Sequence, residues 1–101
     1  MAYRFVFRAN AQKEFDNLTQ GQRKAISEKL KLLEIDPFAE GKTLERYAPL
    51  RRVKAGDVRV VYDPEPDSKG WLSIWRVSTD HIVYDDLERL FGQYLSDVEG
   101  R

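Results

Sequence analysis

The stretch that most constrains the fold of this chain is a predicted β-hairpin over residues 50–62, which read Leu-Arg-Arg-Val-Lys-Ala-Gly-Asp-Val-Arg-Val-Val-Tyr. Two short runs rich in β-branched and charged residues flank Ala55-Gly56-Asp57, and a glycine in such a turn can adopt a positive φ. Because strand residues two apart project from one face, Arg52 and Lys54 point together, and Arg59 returns along the partner strand. The pattern predicts either a solvated face whose charges pair with acidic residues or a site for an anionic ligand.

The N-terminal part of the chain predicts one strand followed by two helices. Residues 2–8 place three aromatic side chains at alternate positions, which is typical of a strand. Apolar residues then recur at helical spacing. Thr19 and Gln22 form a capping-box pattern that opens the second helix, and Pro37 ends it because the residue before a proline avoids helical geometry. The two helices are close enough in sequence to form an antiparallel pair.

The C-terminal part predicts a loop over residues 38–49, the hairpin, a strand over residues 71–77 and a last helix from Asp85. The strand is apolar on both sides, as expected of a central strand. We therefore predict a single α+β domain over residues 1–101. In it an N-terminal strand joins a mainly antiparallel four-stranded sheet, an antiparallel helical hairpin packs on one face, and a helix ends the chain.

The composition excludes several classes of site. The chain has no cysteine and one histidine, so disulfides and thiolate metal sites are excluded and a histidine-based metal site is poorly supported. No run approaches the roughly 18 apolar residues of a membrane span, and no signal-peptide pattern opens the chain, so we expect a cytoplasmic protein. The 17 basic and 17 acidic residues cancel, whereas general nucleic-acid binders are strongly basic. Any phosphate chemistry must come from a local cluster.

The side chains that remain for chemistry are cations, one imidazole and one phenol, namely Arg52, Lys54, Arg59, Arg76, His81 and Tyr84. Fixed cations stabilise charge that develops on a phosphoryl group, and a histidine or tyrosine can move a proton. RNA supplies its own nucleophile, the 2′-hydroxyl, so these residue types fit RNA cleavage that needs no metal or other cofactor. Taken singly, His81 also fits an ordinary loop residue, and Tyr84 fits a packed aromatic with a hydrated hydroxyl.

The order of elements and two phrases, residues 50–62 and His81-Ile82-Val83-Tyr84, resemble the RelE/ParE superfamily of toxins from bacterial type II toxin–antitoxin pairs. The hairpin matches that family's pattern at Arg52, Lys54, Gly56, Asp57, Arg59 and Tyr62, and Val58 replaces the usual tyrosine. The resemblance covers roughly residues 2–91.

The resemblance implies a RelE-like toxin that cleaves mRNA on the ribosome, inhibits translation and is neutralised by a cognate antitoxin protein. It implies that Arg59 stabilises the transition-state phosphate and that Lys54 and Tyr84 act with it, and we expect His81 to complete the catalytic set. The RNA-binding residues that it implies are basic side chains of the predicted strands, namely Arg51, Arg52, Lys54 and Arg76.

The chain departs from the family pattern near its C-terminal tyrosine. The family commonly has a His-Arg or Lys-Arg pair a few residues before that tyrosine, whereas this chain reads Thr79-Asp80-His81-Ile82 and has no arginine there. Arg76 or His81 would have to take the role of the missing arginine. Two alternatives therefore stand beside the nuclease: a ParE-like inhibitor of DNA gyrase without nuclease activity, and an inactive binding module of the same fold.

Overall fold

The computed structural model describes residues 3–79 and 84–99 of the chain. The described strands are β1 (Arg4–Phe7), β2 (Lys42–Thr43), β3 (Arg51–Ala55), β4 (Val58–Tyr62) and β5 (Trp71–Ser78). The described helices are α1 (Ala9–Asp16), α2 (Gln20–Ile35) and α3 (Tyr84–Glu99), and a short 3₁₀ turn covers Glu45–Tyr47. The α+β class, the helical pair and the terminal helix that the sequence predicts are confirmed.

The described strands form one sheet in the order β1-β5-β4-β3-β2. β1 pairs with β5 in parallel, while every other neighbouring pair is antiparallel, so the sheet is mainly antiparallel as expected. The sheet gains a fifth strand, β2, inside the stretch that the sequence predicts as a loop. Two residues are too few to show the alternation by which a strand is recognised in a sequence.

Local signals in the sequence explain the hairpin and the start of α2. Gly56 has a φ of 62°, and it joins β3 to β4 through the short turn that its conformation permits. At the start of α2, the Thr19 hydroxyl accepts a hydrogen bond from the Gln22 amide at 3.1 Å. The Gln22 side chain accepts one in return from the Thr19 amide at 2.9 Å, so the predicted capping box is present.

The two faces of the sheet bury different clusters. The helical pair α1–α2 covers the first face, and apolar side chains of β3, β4 and β5 meet the helices there, including Val53, Val60 and Ile74. The C-terminal helix α3 covers part of the second face, where Phe91 and Tyr94 pack with Tyr47, Leu50, Val61 and Trp75. None of the described helices is long and apolar enough to span a membrane.

Candidate functional site

The second face of the sheet changes from apolar to basic along the hairpin. Val61 is buried in the cluster under α3, and Arg52 lies directly opposite it on β3. Two residues nearer the turn, Lys54 lies directly opposite Arg59. Arg52 and Lys54 are exposed and Arg59 is half-buried. The hairpin therefore brings these three predicted site residues together on one face, beyond the area where the described α3 side chains pack.

The pair formed by Lys54 and Arg59 is electrostatically unfavourable by itself. Side chains directly opposite each other on antiparallel strands have Cβ atoms about 4.5–5.5 Å apart, and like charges in that position destabilise the sheet. Among the residues whose side chains are described, none makes an ion pair or hydrogen bond with the side chain of Arg52, Lys54 or Arg59. A bound anion would relieve this repulsion, so the arrangement favours a ligand such as a phosphate group.

Arg51 does not belong to this basic face, which corrects the expectation that it binds RNA. Its side chain is buried and donates hydrogen bonds to the Tyr62 hydroxyl at 3.2 Å, to Thr43 Oγ1 at 2.8 Å, and to the carbonyl oxygens of Glu40 and Gly41. Since neighbouring strand residues point to opposite faces, Arg51 lies on the side away from Arg52. Its role is to attach the segment around β2 to β3.

Tyr62 completes the same buried cluster. Its hydroxyl donates a hydrogen bond to the carbonyl oxygen of Pro37 at 2.7 Å while it accepts one from Arg51. Burial raises the pKa of the Tyr62 phenol above its ordinary value, although the hydrogen bond and the positive charge of Arg51 act in the opposite direction. Tyr62 matches the resemblance as a residue type, but its contacts are those of a structural residue.

Arg76 is held at the edge of the sheet by Glu14 of α1. Its guanidinium donates to both carboxylate oxygens of Glu14 through Nε at 3.0 Å, and Nη2 lies 3.0 Å from Oε2. The same carboxylate accepts the backbone N–H of Val77 at 3.1 Å, where β5 runs beyond the end of β1. The charge of Arg76 is thus compensated by Glu14, whereas Arg52, Lys54 and Arg59 have no such partner among the side chains that the structure describes.

The two remaining predicted residues lie in or next to the segment before α3. His81 falls outside the described residues, and Tyr84 is the first residue of α3, with a side chain outside the described part. Contacts with the 3₁₀ turn hold α3 in place: Arg46 forms an ion pair with Glu88 at 2.8 Å, and the Tyr47 and Phe91 rings lie 5.6 Å apart. These contacts anchor the helix whose first residue is Tyr84.

Sequence reasoning missed one cation on this face, Lys42. It belongs to β2 and lies directly opposite Arg52. The sequence could reveal it only through the pairing of β2, which the loop pattern of residues 38–49 does not indicate. Among the described residues, no group of three or more acidic, histidine or cysteine side chains could hold a metal ion.

No family model and no curated protein matches this chain. Several solved structures do match. A mutant of the Escherichia coli toxin RelE in the free state has a TM-score of 0.70 and 21% identity, and the match covers 97% of this chain and 99% of that chain.

Two matched structures are toxin–antitoxin complexes. The intact E. coli RelBE complex matches with a TM-score of 0.69 and 24% identity, over 80% of this chain and 100% of that chain. The RelBE2 complex from Mycobacterium tuberculosis matches with a TM-score of 0.65 and 26% identity, over 81% of this chain and 100% of that chain. With its helical pair, its mainly antiparallel sheet and its terminal helix, this chain has the fold of the RelE toxins.

Proposed function

We propose that this protein is the toxin of a type II toxin–antitoxin pair and acts as an endonuclease that cuts mRNA on the ribosome. The observation that carries the proposal is the pair formed by Lys54 and Arg59, which lie opposite each other beside Arg52. Within the described part of the chain, no acidic partner neutralises them, and they occur on a RelE-like fold. Because the proposed target is the ribosome, we expect the protein to act in the cytoplasm.

The proposed reaction is attack of an RNA 2′-hydroxyl on the adjacent phosphate. The 2′-oxygen loses its proton and bonds to phosphorus, the bond from phosphorus to the 5′-oxygen breaks, and that oxygen takes up a proton. Negative charge develops on the non-bridging oxygens in the transition state. Arg59 is half-buried, so its charge is less screened by water than a fully exposed one, and it is the residue that we assign to those oxygens.

The other predicted residues take supporting roles. Arg52 and Lys54 hold the RNA backbone so that the 2′-oxygen lies in line with the breaking bond. His81 serves as acid or base, while Tyr84 stacks on the substrate base or assists proton transfer. Arg51 has no part in the reaction, because its guanidinium is buried among Tyr62, Thr43 and backbone carbonyls.

The proposed protein partner is a cognate antitoxin. Structures of RelBE complexes from E. coli and M. tuberculosis and of an archaeal RelE–RelB complex from Pyrococcus horikoshii match this chain. In this chain α3 covers the apolar part of the second sheet face, and its described contacts there are made by the aromatic side chains of Phe91 and Tyr94. An amphipathic antitoxin helix has the same kind of surface and could occupy the same face.

One observation favours a second candidate, an inhibitor of DNA gyrase without nuclease activity. Arg76 is the described arginine closest in sequence to the stretch where the RelE-like pattern has a basic pair, and Glu14 compensates its charge. A nuclease that uses this site would then rely on His81 and on the hairpin cations alone.

Primer extension after induction of the protein in growing cells separates the two candidates. The nuclease should produce cuts within the reading frame of a reporter mRNA, and mutation of the reporter's start codon should abolish them because the message is no longer translated. The proposal fails if translated messages stay intact while growth stops, and DNA breaks trapped with gyrase would then support the second candidate.

A further inference from the structure

A fourth cation extends the basic face to the edge of the sheet. β2 pairs with β3 so that Lys42 lies directly opposite Arg52, and β3 pairs with β4 so that Lys54 lies opposite Arg59. Residues paired in this way share a face of the sheet. Four cations therefore cross β2, β3 and β4 as a stepped row, which we call the basic row (Lys42, Arg52, Lys54 and Arg59).

The position of Lys42 is fixed by contacts on both sides of it in sequence. Gly41 has a φ of 82°, and a side chain there would collide with the carbonyl oxygen of Arg52, so only glycine lets the backbone come this close. The buried guanidinium of Arg51 donates to the Gly41 carbonyl at 3.1 Å and to Thr43 Oγ1 at 2.8 Å. Arg51 therefore holds Lys42 beside Arg52.

The positive charges of Lys42 and Arg52 are not compensated by the side chains that the structure describes. Lys42 and Arg52 are both exposed, and neither makes an ion pair or a side-chain hydrogen bond with any residue whose side chain is described. Two described carboxylates line the grooves beside Lys42 and Arg52: Glu40 is bound to Lys29 at 2.9 Å, and Glu45 makes no described ion pair with either cation. The local charge stays positive although the whole chain is neutral.

The surface around the pair is open on both sides. Lys42 and Arg52 line a groove of about 260 Å³ that also includes Lys54, and a second groove of about 440 Å³ that also includes Leu44 and Tyr47. The two cations thus stand on the ridge between two open grooves. Such a surface suits an extended polyanion that passes over the ridge, and it encloses no compact anion.

We propose that Lys42 binds the phosphodiester backbone of single-stranded mRNA next to the segment that Arg52, Lys54 and Arg59 hold. This inference rests on the proposed function. Adjacent strands lie about 4.7–4.9 Å apart, and residues two apart on a strand lie about 6.4–6.8 Å apart, so the backbone positions of the basic row follow one another at intervals of about 5–7 Å. An extended RNA strand can place successive phosphates on such a row.

The test is a binding titration at several salt concentrations. The probe is a short fluorescein-labelled RNA with 2′-O-methyl groups, which removes the attacking hydroxyl, and the readout is fluorescence anisotropy. The proteins are the wild type, Lys42→Gln, Arg52→Gln and the control Lys31→Gln, which removes one exposed charge from α2 on the opposite side of the sheet. The logarithm of the affinity falls linearly with the logarithm of the salt concentration. Each lost phosphate contact should make this negative slope shallower by about 0.7.

We expect Lys42→Gln and Arg52→Gln each to reduce that slope by about 0.7 and Lys31→Gln to leave it unchanged. If Lys42→Gln behaves like Lys31→Gln while Arg52→Gln weakens binding, the basic row ends at Arg52 and this inference is wrong, but the proposed function stands. If the wild type shows no salt-dependent binding to the RNA, this inference is wrong, while the proposed function is decided separately by primer extension on translated messages. An effect of Lys42→Gln on an acidic peptide but not on the RNA would assign the row to a protein partner and overturn the inference.

Discussion

Arg51 and Arg52 are neighbours in the sequence, but their guanidinium groups lie on opposite faces of β3. Arg51 is buried and donates hydrogen bonds to Tyr62, Thr43 and two backbone carbonyls, whereas Arg52 is exposed on the face that carries Lys54 and Arg59. One arginine therefore stabilises the fold, and the other is available to a ligand.

The first prediction compares these two arginines. Arg51→Gln should lower the free energy of unfolding by about 1–3 kcal/mol, because buried acceptors lose their donors. Arg52→Gln should leave it within about 0.5 kcal/mol of the wild type, since it removes one of two like charges on a solvated surface. Urea unfolding followed by circular dichroism measures both. Equal losses in the two variants would contradict the separation of roles.

The second prediction concerns Tyr62 and alkaline pH. Burial raises the pKa of Tyr62 in the folded state, whereas an unfolded tyrosine ionises near a pKa of about 10. The stability that the neutral phenol contributes is therefore complete below that pH and is lost as the pH rises towards the folded-state pKa. Above about pH 10, the wild type should lose stability more steeply than Tyr62→Phe. Parallel pH profiles of the urea midpoint would show that Tyr62 does not contribute in this way.

The third prediction separates Arg76 from His81. Because Glu14 already binds Arg76, the Arg76→Gln variant should chiefly affect stability, whereas His81→Gln should slow cleavage by removing an acid or base. We therefore expect single-turnover cleavage of ribosome-bound mRNA to fall further in His81→Gln than in Arg76→Gln. Unchanged rates in both variants would favour the gyrase inhibitor or the inactive module.

The fourth prediction concerns antitoxin binding. The described contacts of α3 are mostly aromatic, such as the Trp75 and Tyr94 rings at 6.1 Å, so an amphipathic helix could replace them. We expect hydrogen exchange in residues 84–95 to change more on antitoxin binding than exchange in residues 50–62. Strong new protection of the hairpin with residues 84–95 unaffected would mean that the antitoxin covers the basic face directly.

The hairpin and its charges were predictable from the sequence because their signals are local. Gly56 marks the turn, and alternation places Arg52 and Lys54 on one face. The capping box of Thr19 and Gln22 is equally local, and it marks the start of α2 correctly.

The features of the site that the sequence does not indicate depend on long-range contacts. In the sequence, Arg51 cannot be distinguished from a surface cation. It is buried because residues 37–43 return to β3 and supply hydrogen-bond acceptors for it and for Tyr62. Lys42 is ordinary in a loop and becomes significant only through its pairing with Arg52. The partner of Arg76, Glu14, is 62 residues away in the sequence, so no local pattern could indicate it.

The most direct test of the central claim is the rate at which Arg59→Ala cleaves mRNA on purified ribosomes. Arg59 has no partner among the described side chains, so the fold should survive its loss, and Lys31→Ala serves as the control for removal of one positive charge. Loss of a cation that stabilises the transition state should slow cleavage by about 100-fold or more, while Lys31→Ala should match the wild type. Wild-type cleavage by a folded Arg59→Ala protein would contradict the assignment of the hairpin cations to RNA cleavage.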